Sequence, residues 1–279
     1  MCLSLALWNG RDPILKERLF GLTNGQGNHG EDVKEQYFYL DATPTHSYLR
    51  MLYKYPQRAY PYAELVEENR RRGIGAPEYE LTDTDAFADD RYFDVFVEYA
   101  QGEPGDVLMR VIAHNRGPEP AALHLLPQLV LRNTWTWDGG ASKPRLRLGT
   151  DGGVDVEHPE FIRRHFYADR GASWLFTENE TNHLKLWGLG EPGFFKDGFH
   201  ERIVEGRTDA VNPANTGTKA AAWHQLMVPD NSHVEIRLRF THIASKTPFA
   251  HFDSIMNRRK LDADEFYACL LYTSPSPRD

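Results

Sequence analysis

Between residues 28 and 62 the chain reads NHGEDVKEQYFYLDATPTHSYLRMLYKYPQRAYPY, with seven tyrosines and several histidines and carboxylates but no long apolar run. It opens on His29-Gly30-Glu31-Asp32, followed by Lys34 and Glu35. Paired carboxylates can serve as general acid and base on a glycosidic bond, but they must face each other across it, about 5–9 Å apart. Adjacent carboxylates on one loop seldom do so. Two readings of this group stand. It is a polar loop capped by its own side chains, or a wall against which a substrate or another domain rests. On the second reading His29, Glu31, Asp32 and Tyr37 are the candidate wall residues.

The same stretch continues through Thr43-Pro44-Thr45-His46-Ser47-Tyr48, then Tyr53, Tyr55, Tyr60 and Tyr62. Ser47 beside His46 suggests nucleophilic catalysis. However, the chain has no G-x-S-x-G elbow, and sequence neighbours do not readily make the Ser–His hydrogen bond. His46 and the tyrosines read instead as interface residues, with core tyrosines as the alternative. A third group is Arg132-Asn133-Thr134-Trp135-Thr136-Trp137-Asp138-Gly139-Gly140, at the end of an apolar run. If a strand persists there, Trp135 and Trp137 share one face. Two indoles at a loop mouth can stack on the apolar face of a pyranose, with Arg132 and Asn133 at the edge. The alternative is core packing.

The other histidines (His158, His165, His200, His224, His233 and His242) are scattered, with no helical H-x-x-x-H spacing and no cysteine partner, so no metal is expected. No phosphate-cradling loop is present either. Residues 149–153 (GTDGG) read as a hairpin turn, and residues 188–193 (GLGEPG) lack the strand-to-helix setting of a dinucleotide fingerprint. No cofactor is expected.

The elements that must position these groups are mostly strands. Residues 2–8 read as a buried strand. Asp12-Pro13 resembles a cap and first turn, predicting a short helix that Gly21 closes. Residues 21–32 read as a loop, 36–40 as a strand and 43–62 as a second loop ending in a helix over 61–72. That helix has acids early, Arg70-Arg71-Arg72 late and Gly73 after them, the order a helix dipole favours. From Tyr92 the pattern has period two. Phe93, Val95, Val97 and Tyr99 alternate with Asp94, Phe96 and Glu98, and Val107–Ala113 and Ala121–Arg132 follow across an Asn-Arg-Gly-Pro turn. Shorter strands are expected near 163–168, 173–177 and 183–188, and a clear one over 234–241. Thr247-Pro248 then predicts the cap of a helix running through Tyr267. This pattern predicts a mainly β fold, a large antiparallel sandwich with a few short helices.

The bulk numbers agree. Hydrophobic residues at 41% and charged residues at 26% indicate a folded core rather than disorder. A net charge of −8 argues against the basic surface that nucleic-acid backbone requires, so no nucleic-acid partner is expected. No run approaches 18 apolar residues, so no membrane partner is expected. The opening MCLSLALW reads as a strand rather than a signal peptide. Two cysteines, Cys2 and Cys269, near opposite ends provide no disulfide framework, and a cytoplasmic location is expected.

Four stretches together carry a family resemblance: LWNGRDPILKERLFGL, the 28–62 stretch, VIAHNRGPEPAALHLLPQLVLRNTWTW and DADEFYA. They resemble the bacterial branch of glycoside hydrolase family 63, usually called glucosidase or mannosyl-oligosaccharide-glucosidase-like, and the match runs almost to Ala268. The resemblance implies an N-terminal β-supersandwich over residues 1–245, incomplete at its start. It implies a linker helix over 246–268 leading to an α/α toroid catalytic domain of the same parent chain. Residues 269–279 are similar to a translated sequencing-adapter tail. By this resemblance the parent hydrolyses α-glycosidic bonds of oligosaccharides or small glycosides with inversion, and its catalytic acid and base lie outside this chain. A carbohydrate substrate and the toroid are the expected partners. The rival reading is a stand-alone carbohydrate-binding or scaffolding module. A weaker third is a mutarotase-like enzyme, which needs a His and a Glu converging on one sheet face. An exposed apolar and aromatic patch is expected where the toroid would dock.

Overall fold

The structure is a computed structural model, and it describes residues 1–137, 142–169 and 171–273, with side chains to residue 270. The strands are β1 (Cys2–Trp8), β2 (Gly21–Leu22), β3 (Asp32–Val33), β4 (Gln36–Ala42), β5 (Tyr48–Pro56), β6 (Tyr92–Gln101), β7 (Val107–Asn115), β8 (Ala121–Val130), β9 (Arg145–Leu148), β10 (Val154–His158), β11 (Phe161–Ala168), β12 (Ser173–Thr177), β13 (Thr216–Gly217), β14 (Lys219–Val228) and β15 (His233–Thr241). The α-helices are α1 (Tyr62–Arg72), α2 (His183–Trp187), α3 (Gly198–Ile203) and α4 (Phe252–Thr273). Two antiparallel sheets face each other. The smaller runs β1-β8-β14-β12 and the larger β13-β9-β10-β11-β15-β7-β6-β5-β4, while β2 and β3 form a small pair of their own. This is the mainly β antiparallel sandwich that the alternating pattern predicts.

The period-two faces build the interior. Phe93, Val95 and Val97 of β6, Met109, Val111 and Ala113 of β7, and Ile236, Leu238 and Phe240 of β15 point inward. Leu123, Leu125 and Leu129 of β8 and Ala220, Ala222 and Val228 of β14 oppose them. Removing such side chains from water supplies the main driving force, on the order of 25 cal/mol per Å² of apolar surface. The outer face of the small sheet is covered as well. Phe199 and Ile203 of α3, with Leu15, pack on Ala6, Leu126, Leu175, Ala221 and Trp223. On the large sheet, Phe252, Met256 and Ala263 of α4 pack on Tyr48, Ala100 and Leu108. No helix among the described residues is long and apolar enough to cross a membrane.

Several elements differ from the sequence expectation. Residues 12–21 are not helical. Asp12 is buried, and its Oδ1 accepts the Ile14 N–H at 3.0 Å while its Oδ2 accepts from the Tyr55 hydroxyl, also at 3.0 Å. Leu7 and Lys16 exchange two backbone hydrogen bonds, which draws this segment alongside β1. Residues 183–188 form α2 rather than a strand, because the Asn182 side chain caps Lys185 N–H and Gly188 turns left-handed at φ 69°. The second loop of the 28–62 stretch contains β5, and Tyr48, Tyr53, Tyr55 and Tyr60 are buried, so these are core tyrosines. In β1 only Ala6 and Leu7 are buried. Thr247 accepts a turn hydrogen bond from Ala250 N–H, and α4 begins five residues beyond Thr247, at Phe252. It then passes through residue 268 without interruption. Residues 274–279 of the expected tail lie outside the described residues. Exposed aromatic and apolar side chains occur at Phe38, Tyr39 and Leu40 of β4, and at Leu184, Leu186, Trp187 and Leu189.

Two buried ammonium groups organise the 28–62 stretch. Lys34 is fully buried and pairs at 2.9 Å with each of Asp32, Glu78 and Glu80. Burial works against its charge, but the contacts to Glu80, Glu78 and Asp32 outweigh it and hold the amine above the ordinary lysine range. Its stabilisation is therefore fully present below about pH 10.4 and is lost as pH climbs through the raised value. Lys34→Met is expected to destabilise the protein by about 3–5 kcal/mol at neutral pH, because three carboxylates are left clustered without their cation. In urea unfolding the loss should shrink at acidic pH, where the carboxylates take up protons. A variant as stable as the parent at neutral pH would show that the ammonium is dispensable.

Candidate functional site

The site is built where two strands end. β8 stops at Val130, and the next residues are held by backbone contacts: Leu131 N–H donates to Thr218 O at 3.0 Å, and Leu131 O accepts from the Asn179 side chain at 2.8 Å. Asn133 Oδ1 accepts from the Thr136 hydroxyl at 2.9 Å and from the Thr136 N–H at 3.3 Å, and its amide donates to Asn179 O at 3.1 Å. A side chain that bonds its own backbone a few residues on makes a turn. The strand therefore does not persist, and Trp135 and Trp137 do not share a strand face. Trp135 tucks against the rim of the core and donates its indole N–H to Glu180 Oε1 at 2.7 Å. Trp137 is 54% exposed, with the Arg132 guanidinium 5.1 Å from its ring centroid. Asp138, Gly139 and Gly140 lie outside the described residues.

The segment after β12 closes the site from the other side. Glu178 N–H donates to Phe194 O at 2.8 Å, and Lys196 N–H donates to Glu180 O at 3.2 Å. Thr218 Oγ1 donates to Glu178 Oε2 at 2.7 Å. Lys143 Nζ sits 2.8 Å from Glu180 Oε1 and 3.1 Å from Glu178 Oε2, and 5.7 Å from the Trp135 ring centroid. For Glu180, burial pushes the carboxyl up, but Lys143 and the Trp135 N–H outweigh it and hold the group below its ordinary range. For Lys143, burial pulls the amine down, while Glu180 and Glu178 raise it above its ordinary value. Both partners are thus charged at neutral pH. An ionised Glu180 accepts hydrogen bonds but is a poor proton donor, so the cluster suits the recognition of hydroxyl groups rather than acid catalysis.

Of the residues singled out in the sequence, Arg132, Asn133, Trp135 and Trp137 come together here. The others sit on different elements. His29 Nε2 lies 3.2 Å from Ala76 O, on an exposed loop with Glu31. Asp32 belongs to the carboxylate trio around Lys34, whose oxygens lie within 4.8 Å of one another. That geometry could hold a metal ion, but the Lys34 ammonium fills its centre. Tyr37 is half-buried against the core, 5.7 Å from the exposed Tyr39 ring. His46 is exposed in the β4–β5 turn at φ 54°. Ser47 Oγ is bonded to Thr43 and Thr45, at 3.1 and 3.0 Å, and not to His46. Tyr37, on β4, stands seven strand spacings from β9, the strand that Lys143 leads into, which is roughly 30 Å along the sheet. Lys143, Glu178 and Glu180 were missed by the sequence reading. They look like ordinary surface residues, and only the fold brings them to the indoles.

No protein-family model matches the chain. An uncharacterised protein of Saccharomyces cerevisiae is 40% identical over 315 aligned positions, covering 96% of this chain and 29% of that protein. The chain thus spans 29% of the length of this curated relative. Among solved structures, a protein described as a kojibiose phosphorylase from the human microbiome overlaps with a TM-score of 0.32 at 9% identity, over 91% of this chain and 27% of that one. A galactose mutarotase related enzyme from Lactobacillus acidophilus also gives 0.32 at 9% identity, over 86% of this chain and 87% of that one. At that level neither likeness carries an argument about function.

Glu180 provides a direct check on the site's electrostatics. Its lowered carboxyl stabilises the fold above the ordinary glutamate range, and that contribution is lost as pH falls through the lowered value. Glu180→Gln is expected to be less stable by about 0.5–1 kcal/mol at neutral pH, since the pair is partly solvated. The gap should close in strong acid. Equal stability at neutral pH, or a gap that ignores pH, would contradict the charge assignment.

Proposed function

We propose that this chain is the carbohydrate-recognising β-domain of a longer glycoside-processing enzyme of the inverting α-glucosidase type. The observation that carries the reading is the cluster of Arg132, Trp135, Trp137, Lys143, Glu178 and Glu180. It combines an exposed indole face with fixed donors and acceptors. Apolar pyranose faces stack on rings, and sugar hydroxyls bond to charged groups whose own positions are set by neighbours. The ionised state of Glu180 supports recognition and argues against its serving as a catalytic acid, and the motif resemblance assigns the acid and base to a domain outside these residues. The motif resemblance supports the hydrolase class and the toroid partner, and the greater length of the yeast relative leaves room for such a domain.

A second reading, a self-sufficient carbohydrate-binding module, is favoured by the fact that the cluster is assembled from this chain alone. The two readings separate experimentally. On the first, the chain binds gluco-oligosaccharides weakly and turns over no nitrophenyl α-glucoside, while a full-length homologue does. Trp137→Ala should weaken binding about tenfold, which corresponds to about 1.4 kcal/mol, with the melting temperature nearly unchanged because the indole is exposed. Turnover by the chain alone would sink the claim that the chemistry lies elsewhere. A full-length homologue that binds sugars but hydrolyses none would favour the binding module. The absence of calorimetric heat with every sugar tested would remove the recognition site.

A further inference from the structure

On the outer face of the large sheet, near its β9 edge, stands a second polar cluster. Arg147, Asp155 and His165 form one row across β9, β10 and β11, each directly opposite the next. Asp155 Oδ1 lies 3.1 Å from His165 Nδ1, and its Oδ2 accepts from Arg163 Nη2 at 2.7 Å and Arg147 Nη2 at 3.3 Å. The His165 ring stacks on Tyr167, with centroids 6.0 Å apart and planes at 18°. Together Arg147, Asp155, Arg163 and His165, with Leu148 to Thr150, line a surface cavity of about 360 Å³.

The burial of these groups sets the carboxylate apart from the guanidinium groups. The Asp155 and His165 side chains are only 14% and 13% exposed, whereas Arg147 and Arg163 are about half exposed. The carboxylate thus sits at the base, already engaged by both arginines and beside His165 Nδ1, and the guanidinium groups stand at the rim. Each spends Nη2 on Asp155 and keeps further N–H donors in its planar fork. Glu157 competes only weakly, as it is half exposed and 3.6 Å from Arg163. Asp155 and Glu157 balance the two guanidinium charges, so what the cavity offers an anion is the pair of unspent guanidinium forks at its rim.

We propose that this cavity binds a small tetrahedral oxyanion of the phosphate type. Arg147 and Arg163 would donate to its oxygens, and Asp155 would hold the two guanidinium groups in place. Guanidinium groups match phosphate oxygens in pairs, which a single ammonium does not. The test is calorimetric titration of the intact chain with inorganic phosphate at low ionic strength, with acetate as a planar monoanion. Saturable millimolar phosphate binding is expected, stronger than for acetate. The Arg147→Gln/Arg163→Gln variant should bind at least tenfold more weakly, and Arg163→Lys, which keeps the charge but loses the fork, should fall between. Arg91→Gln, a surface arginine paired with Glu119 elsewhere, should bind as the parent does. No saturable heat from the parent, or equal losses in the Arg91 variant, would overturn the proposal. If the double variant does not fold, Arg163→Lys decides alone, and parent-like affinity there counts against the site.

Discussion

The structure depends on one buried cation and the hydroxyls gathered round it. Lys16 Nζ lies 2.8 Å from Glu35 Oε1 and donates to the Tyr62 hydroxyl at 2.7 Å, above the Tyr60 ring at 3.7 Å. Tyr53 donates to the other Glu35 oxygen at 2.6 Å, and Tyr62 and Tyr55 donate to Asp12 at 3.0 Å each. This knot joins residues 12–20, the link between β3 and β4, β5 and the start of α1. Taking an ammonium and two carboxylates out of water is unfavourable unless every lone pair and proton finds a partner. Here the tyrosines supply those partners. Burial first, and the neighbouring carboxylates next, push the Tyr53, Tyr55 and Tyr62 phenols far above their ordinary range. They therefore stay protonated as donors across the physiological range.

That knot explains why a stretch so rich in acids and tyrosines is not itself an active centre. Its side chains are consumed in holding irregular backbone against a sheet edge. The exposed indole of Trp137 and the fixed charges beside it stand instead at the ends of β8 and β12, where loops are anchored to a rigid scaffold. The same principle operates in both places. Glu35 is fixed by Lys16 and two other donors, and Glu180 by Lys143 and an indole. The difference is exposure, since only the second cluster offers an unburied ring beside fixed charges.

The parts of the fold legible in the sequence are those whose two faces meet different surroundings. β6, β7 and β15 alternate because one face meets the core and the other carries charge. β14 was missed because both faces are buried: Ala220 and Ala222 face the interior, while Ala221 and Trp223 lie under α3. Residues 12–21 misled for another reason. Asp12-Pro13 has the local chemistry of a helix start, but the Asp12 carboxylate serves two tyrosines more than forty residues away. α2 was readable, since Asn182 and Gly188 are its cap residues. Of the site, Arg132, Asn133 and the two tryptophans were visible as a composition, but their arrangement depended on the Asn133 turn, and the acids that complete it come from a distant segment.

This last point bears on what the domain contributes. A platform on a continuous strand would place both indoles side by side, a flat surface that accepts any sugar face. The Asn133 turn separates them. Trp135 becomes a support whose N–H fixes Glu180, and of the two indoles Trp137 is the exposed one. A single ring flanked by Arg132 and backed by an ionised carboxylate and ammonium constrains orientation more than it adds contact area. On the proposed reading, in which bond cleavage takes place on another part of a longer protein, such orientation is what this domain contributes, because reaction rates fall steeply when the reacting atoms are misplaced by even an ångström.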